Sequence, residues 1–132
     1  MLTEYAGGLF EQLPAQPQSI ARLRRAVAEF ADSRGASACQ CATVSLAVSE
    51  ALTNAVLHAY LDHDQPGVVA VYAQLRERSL RVAVCDEGSG MRARTDSPGL
   101  GLGLALLARL TDQLEIKDTT PGLCVHMTFA IG

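Results

Sequence analysis

The chain has 132 residues, of which 48% are hydrophobic and none is tryptophan, and its formal net charge is −3. This length predicts a single domain, residues 1–132, that can bury a core of its own. The acidic balance argues against direct nucleic-acid binding, and no apolar run approaches the roughly 20 residues of a membrane-spanning helix.

The first predicted elements are a strand at residues 9–13 and, beyond the prolines of PAQP, an amphipathic helix. Ser19 is a candidate N-cap of this helix and Gly35 a candidate C-cap. Apolar residues recur between them at helical spacing: Ile20, Leu23, Val27 and Phe30. The polar face carries the arginines of ARLRRA and Glu29, and it is either a solvated surface or a partner-binding patch.

The second predicted helix spans residues 38–60 and contains SEALTNAVLHAY. Glu50 and Asn54 lie four residues apart and so share one face of it. The rest of the helix is apolar nearly all round, which predicts burial. A carboxylate and an amide in a buried helix need partners, which are either neighbouring backbone groups or a ligand.

Two predicted strands follow, at residues 68–75 and 80–86, and the second alternates apolar and polar positions before ending at Asp86. By this alternation Asp86 points to the face that is expected to meet the helices. Residues 88–103 hold five glycines and are predicted to be a loop. A helix at 104–110 and a hairpin of strands at 113–117 and 123–131 complete the chain.

Three helices and five strands predict an α+β domain, a two-layer α/β sandwich with a mixed, mostly antiparallel sheet and the helices on one face. The opening residues carry an acid and no basic segment, so a cytoplasmic protein without a signal peptide is expected. The four cysteines are then expected to be reduced, with Cys85 and Cys124 as small strand hydrophobes. The scattered cysteines and histidines do not match the spacing of a zinc site.

Three motifs stand in order: Glu-x-x-x-Asn on a helix, Asp-x-Gly-x-Gly after a strand, and Gly-x-Gly opening a helix. Glycines allow a ligand to approach the backbone, and helix N-termini favour phosphate. An asparagine can supply an oxygen ligand to Mg²⁺, and a glutamate can take a proton from an attacking hydroxyl. Together the motifs predict one nucleotide site.

This order and spacing resembles the GHKL ATPase superfamily, the Bergerat ATP-binding fold, and within it the small anti-sigma-factor serine/threonine kinases. The resemblance runs from Leu9 to Phe129 and rests on EALTNAVLHAY and DEGSGM. It implies ATP and Mg²⁺ as cofactors. It also implies a sigma factor and a STAS-domain anti-anti-sigma protein as partners, and suggests a homodimer.

The resemblance implies a role for each matching residue. Glu50 is the general base, Asn54 is the Mg²⁺ ligand, and Asp86 accepts a hydrogen bond from the adenine amino group. The remaining nucleotide contacts fall on two glycine-rich stretches. They are Gly88, Gly90 and Met91 around the adenine, and Gly99, Leu100, Gly101, Leu102, Gly103 and Leu104 around the phosphates.

Two positions depart from the family pattern. Gly99 and Leu100 stand where many of these kinases carry an arginine that reaches the γ-phosphate, which bears on the rate of phosphoryl transfer. Arg92 and Arg94, in a segment expected to become ordered with nucleotide, are the candidate substitutes; the alternative is that they are solvated. Leu123 stands where a threonine often helps to hold adenine, which bears on affinity.

Two functions follow from these observations. The first is an ATP-dependent anti-sigma-factor kinase that phosphorylates a STAS-type antagonist. The second is a slow or inactive module in which nucleotide gates the exchange of partners. The catalytic domain of a histidine kinase is disfavoured because the chain contains no pair of dimerisation helices.

Overall fold

The computed structural model of the protein describes residues 2–61, 67–87, 98–119 and 122–131. These ranges contain three helices and five strands, as predicted, after a short 3-10 turn at Thr3–Tyr5. The helices are α1 at Pro17–Ser33, α2 at Ala38–Leu61 and α3 at Pro98–Leu110. The strands are β1 at Leu9–Pro14, β2 at Val68–Arg76, β3 at Ser79–Asp86, β4 at Gln113–Asp118 and β5 at Leu123–Ala130.

The strands form one sheet in the order β1-β2-β3-β5-β4, and every neighbouring pair is antiparallel. The predicted two-layer architecture is confirmed, although the described sheet is wholly antiparallel rather than mixed. Since β3 and β5 run in opposite directions, the end of β3 lies beside the start of β5. Asp86 is therefore the register partner of Leu123.

The core lies between the sheet and the helices and follows the alternation that the sequence shows. On β3, Leu80, Val82 and Val84 are at most 2% exposed. On β5 the alternating residues Leu123, Val125, Met127 and Phe129 are buried as well. Burial of each such side chain contributes about 1.5–3 kcal/mol to the stability of the fold. The two strands are therefore held firmly in place, and with them Asp86 at the end of β3.

The N-cap of helix α1 lies three residues earlier in the chain than the predicted Ser19. Gln16 is the N-cap and Pro17 occupies the first turn, where its missing N–H has no intrahelical role. The prediction of Ser19 as N-cap is wrong: Ser19 is buried, and its hydroxyl donates to the carbonyl of Pro14 at 2.6 Å. The C-cap is Arg34, one residue before the predicted Gly35, and Gly35 follows it with φ +99°, the left-handed conformation in which helices commonly end.

Helix α2 begins with a reciprocal capping box. The Gln40 N–H donates to the Ser37 hydroxyl at 3.1 Å, and the Ser37 N–H donates to the Gln40 side-chain oxygen at 2.8 Å. The cap thus satisfies backbone N–H groups in the first turn of α2. Within the described ranges, neither α2 nor another helix combines the length and apolarity that crossing a membrane requires.

The expectation that α2 is buried nearly all round is wrong for one face. Leu46 and Leu57 are 51% and 55% exposed, whereas Val48, Leu52 and Ala55 on other faces are buried. The reason is that α1, α3 and the sheet contact α2 from the remaining sides. The exposed face is the one that borders Glu50.

The sheet face away from the helices carries an aromatic cluster that the sequence did not reveal. Tyr5 packs on Tyr72 and on His126, with ring centroids 5.6 and 6.0 Å apart. Its hydroxyl donates to Nδ1 of His126 at 3.0 Å if that nitrogen is unprotonated. The side-chain amide of Gln74 donates to the carbonyl of Ala6 at 2.6 Å. These contacts fix the segment before β1 on the sheet.

This cluster is expected to make stability depend on pH. Burial lowers the pKa of His126 below its usual value, and nearby Lys117 acts in the same direction, against the attraction of Glu4. The unfolded chain therefore binds the proton more readily than the folded one. The contribution of His126 to the free energy of unfolding is fully present above its pKa in the unfolded chain, about 6.5. It decreases as the pH falls from there towards the lower pKa of the folded protein, by at most about 1.4 kcal/mol per pH unit.

Urea unfolding of the wild type and of His126→Gln between pH 7.5 and 5.5 measures this effect. The wild type is expected to lose more stability than the variant on acidification. Parallel losses in the two proteins would show that His126 is not the responsible group.

The expectation of reduced strand cysteines is wrong. Cys85 on β3 and Cys124 on β5 are register partners joined by a disulfide, with their Cα atoms 4.1 Å apart. They are 39 residues apart in sequence, and only the sheet makes them neighbours. Cys39 and Cys41 are free.

Candidate functional site

The side chains of Glu50 and Asn54 converge on helix α3 at Gly103. A Cβ atom on Gly103 would lie 2.8 Å from Oε2 of Glu50 and 2.8 Å from Nδ2 of Asn54. Both polar groups therefore lie within a few ångströms of each other, at the contact between α2 and α3. A residue with a side chain at this position would displace them, so the glycine makes room for both.

The side-chain amide of Asn54 gives the clearest indication of a binding site. Its Nδ2 atom is buried and has no hydrogen-bond partner in the part of the chain that the structure describes. Such a group costs about 1–3 kcal/mol when left unsatisfied, so native proteins rarely retain one without use. Rotating the amide by 180° exchanges nitrogen and oxygen, so the same position can offer an oxygen to a cation or an N–H to an anion.

Asp86 lies at the other predicted part of the site, at the end of β3. It is 8% exposed and follows Leu80, Val82 and Val84 on the face that the helices cover. Next to it, Gly122 approaches the main chain so closely that a Cβ atom there would collide with the Asp86 carbonyl oxygen. The backbone around Asp86 is thus tightly fixed from the β5 side.

The prediction of a loop throughout residues 88–103 is wrong for its second part. Helix α3 begins at Pro98 and includes Gly99, Leu100, Gly101, Leu102, Gly103 and Leu104. Proline suits the first turn of a helix, since its fixed φ is already helical. The helix contacts α2, and this packing offsets the cost of roughly 1 kcal/mol for each glycine.

Several predicted site residues lie outside the described residues. They are Gly88, Gly90, Met91, Arg92 and Arg94, together with the predicted ordering of their segment. For Gly99 to Leu102 the structure describes the course of the helix backbone. The structure thus brings together Glu50, Asn54 and Gly103, and it places Asp86 on a buried strand end.

A family model described as the histidine kinase-like ATPase domain matches residues 13–129. The chain belongs to this family. The match covers most of the chain, including all three motifs, and it confirms the resemblance drawn from them. Membership shows a domain of the ATPase type and an adenine nucleotide as its ligand class.

Two curated relatives illustrate what the chain is similar to. The serine-protein kinase RsbW of Staphylococcus aureus is 26% identical over 89% of this chain and 82% of its own length. The anti-sigma F factor of Caldanaerobacter subterraneus subsp. tengcongensis is 28% identical over 98% of this chain and 97% of its own. Both names agree with the predicted subgroup.

Solved structures support the same fold. The RsbU and RsbW domains of Rv1364c from Mycobacterium tuberculosis give a TM-score of 0.75 at 24% identity, over 96% of this chain. This chain spans 33% of that longer one. The SiaB-SiaC complex from Pseudomonas aeruginosa gives 0.65 at 15% identity, over 92% of this chain and 88% of that one. At these identities the likeness concerns the fold alone.

Proposed function

We propose that this protein is a cytoplasmic anti-sigma factor with ATP-dependent serine/threonine kinase activity. It binds ATP and Mg²⁺ where α2, α3 and the end of β3 meet, and it phosphorylates a STAS-type anti-anti-sigma protein. A sigma factor is the second partner, and the resemblance suggests a homodimer. The observation that carries the proposal is the convergence of Glu50 and the orphaned Asn54 amide on Gly103.

The residues present fit Mg²⁺ and the phosphates. Asn54 would hold the ion through its amide oxygen, since hard cations prefer oxygen ligands. Bound there, Mg²⁺ would neutralise charge on the phosphates. The glycines of α3 would allow the phosphates to approach its backbone, and the first turn of that helix presents N–H groups that favour anions. Leu100, Leu102 and Leu104 would contact the nucleotide beside these glycines, and Met91 would contact it on the side of Gly88 and Gly90.

Asp86 would accept a hydrogen bond from the adenine amino group, with Gly88 and Gly90 shaping that end of the pocket. A carboxylate accepts hydrogen bonds and donates none when ionised. It therefore prefers adenine, whose amino group donates, over guanine, which presents a carbonyl oxygen at the corresponding position. The buried position of Asp86 keeps competing water away from this contact.

Glu50 would act as the general base. Its carboxylate accepts the proton of the serine or threonine hydroxyl on the partner protein as the hydroxyl oxygen attacks the γ-phosphorus. The bond from that phosphorus to the bridging β–γ oxygen breaks, and ADP departs with the bonding electrons. The glycine at position 103 leaves room for the carboxylate beside Asn54, so the base lies next to the residue that would hold Mg²⁺.

A slow kinase that serves mainly as a nucleotide-gated binder is the second candidate. It is favoured by the composition of α3, whose described cation, Arg109, lies in the last turn rather than near the phosphate end. Positioned cations can contribute several kcal/mol to phosphoryl transfer. A chain with no cationic side chain at positions 99 and 100, where it has Gly99 and Leu100, would retain nucleotide binding better than phosphoryl transfer.

Incubation with γ-labelled ATP and a STAS-domain partner separates the two candidates. The kinase transfers label to a serine or threonine of the partner within minutes, whereas the binder exchanges partners with ATP but transfers no label. Absence of both label transfer and ATP-dependent partner binding would contradict the proposal as a whole.

Asp86→Asn is expected to weaken ATP binding by about tenfold, because an amide replaces the carboxylate acceptor and one charge-assisted hydrogen bond is lost. Calorimetry with ATP and with GTP measures the change, and selectivity for ATP should fall with affinity. The matched control is Asp112→Asn. Asp112 is exposed and lies in the connection before β4, so this variant should bind ATP like the wild type. Equal ATP affinities in the wild type and Asp86→Asn would remove Asp86 from the site.

A further inference from the structure

The disulfide between Cys85 and Cys124 joins the two central strands at the end of the sheet where Asp86 lies. The cysteines are direct register partners, and their Cα atoms are 4.1 Å apart. This separation is shorter than the roughly 4.5–5.5 Å of ordinary antiparallel pairs. By strand alternation both side chains lie on the face away from the helices.

The next register pair along these strands is Asp86 with Leu123. One residue further, Gly122 packs against the main chain of Asp86 and Glu87, with a position for Cβ only 2.9 Å from the Glu87 Cα atom. The covalent link therefore acts on backbone that is in direct contact with Asp86. A change in the distance between β3 and β5 at the cysteines therefore also shifts the backbone of Asp86, because the two register pairs are adjacent.

The two cysteines differ in exposure. Cys124 is 4% exposed, whereas Cys85 is only partly buried. A small thiol or disulfide can therefore approach Cys85 more readily than its partner. Disulfides that solvent can reach are the ones that exchange with small-molecule thiols.

We propose that Cys85 and Cys124 form a reversible dithiol–disulfide site that sets how tightly the neighbouring pocket holds its nucleotide. The proposal rests on the proposed ATP site at Asp86. The oxidant is a small-molecule disulfide of the glutathione class. The reductant is the corresponding thiol.

Oxidation proceeds in two exchanges. The Cys85 thiolate attacks one sulfur of the small disulfide, forming a mixed disulfide and releasing one small thiolate. The Cys124 thiolate then attacks the Cys85 sulfur, forming the intramolecular bond and releasing the second small thiolate. The protein loses two electrons and two thiol protons, and the small disulfide becomes two thiols.

The oxidised form is expected to bind nucleotide more tightly. Two thiols cannot approach as closely as two bonded sulfurs, so reduction allows β3 and β5 to separate at this pair. Asp86 and Gly122 then lose part of their fixed arrangement, and the adenine contact weakens. A loss comparable to one hydrogen bond corresponds to about a two- to tenfold change in ATP affinity.

The experiment uses the full chain carrying Cys39→Ser and Cys41→Ser, so that the strand cysteines are the only thiols. The protein is equilibrated with oxidised glutathione or with dithiothreitol. Alkylation and intact mass then give its redox state. ATP affinity is measured by calorimetry in each state, and Cys85→Ser with Cys124→Ser is the control that cannot change state.

The proposal expects full interconversion of the pair, affinity about two- to tenfold higher after oxidation, and no redox effect in the control. Equal affinities, weaker binding after oxidation, or a pair that does not change state would each overturn it. If neither state binds ATP, the proposed nucleotide site is wrong. Amide exchange at Asp86 and Leu123 then decides the redox site alone: slower exchange after oxidation supports strand coupling, and equal exchange overturns it.

Discussion

Glu50→Gln is expected to slow phosphoryl transfer by about 10²–10⁴-fold while leaving ATP affinity nearly unchanged. The substitution keeps the size of the side chain and its place against Gly103 but removes its capacity to accept a proton. Asn54, which would hold Mg²⁺, and the α3 backbone, which would hold the phosphates, are unchanged. Single-turnover transfer from labelled ATP to the STAS partner measures the rate, and calorimetry measures the affinity.

The matched control is Glu115→Gln on the edge strand β4, where the carboxylate is 67% exposed. This variant is expected to transfer phosphate at the wild-type rate. A Glu50→Gln protein that transfers equally fast would show that Glu50 is not the base. Loss of ATP binding in Glu50→Gln would show instead that the carboxylate supports the pocket.

Gly122→Ala is expected to destabilise the fold by about 3 kcal/mol or more. The added Cβ atom would collide with the carbonyl oxygen of Asp86 and approach the Cα of Glu87 to 2.9 Å. These are backbone atoms within a central strand pair, so they cannot move aside as a flexible side chain could. Relief requires β3 and β5 to separate where Asp86 is held, and ATP affinity should fall with stability.

Urea unfolding measures the first effect, with Gly67→Ala as its control. Gly67 lies before β2, and a Cβ atom there would meet nothing within 4 Å. That substitution is expected to change stability by less than about 1 kcal/mol, and in the stabilising direction, because alanine restricts the unfolded chain. Similar unfolding midpoints for the two variants would contradict the close approach at Gly122.

Most of the fold could be predicted from local pattern. Leu23 and Val27 at helical spacing marked the buried face of α1, and the alternation through Leu80 and Val84 marked β3. The spacing of Glu50 and Asn54 placed both on one side of α2. Such features depend on the period of a helix or strand and need no knowledge of distant contacts.

The rest depended on contacts between distant parts of the chain. The glycines after Pro98 indicated a loop by composition, whereas packing against α2 keeps them helical. Cys85 and Cys124 are partners only because β3 and β5 are neighbours, which no local pattern encodes. The contact between Tyr5 and His126 likewise joins residues that are far apart in the sequence. In each case tertiary contact overrides or adds to local preference.

The exposure of Leu46 and Leu57 illustrates the same limit at the site itself. Apolar residues all round α2 indicated burial on every side, yet the face beside Glu50 is open in the described structure. The hydrophobic pattern reports which residues avoid water, and it does not report which surface covers them. A partner or a ligand can do so as well as a helix.

Calorimetric titration of the wild-type protein with ATP, with and without Mg²⁺, tests the central claim most directly. The claim is that Glu50, Asn54 and Asp86 belong to one site for magnesium and adenine nucleotide. The expected result is saturable binding below high micromolar ATP that becomes tighter when Mg²⁺ is present, with Asn54→Ala losing that Mg²⁺ dependence. An absence of binding heat at high micromolar ATP, with and without the ion, would contradict the claim.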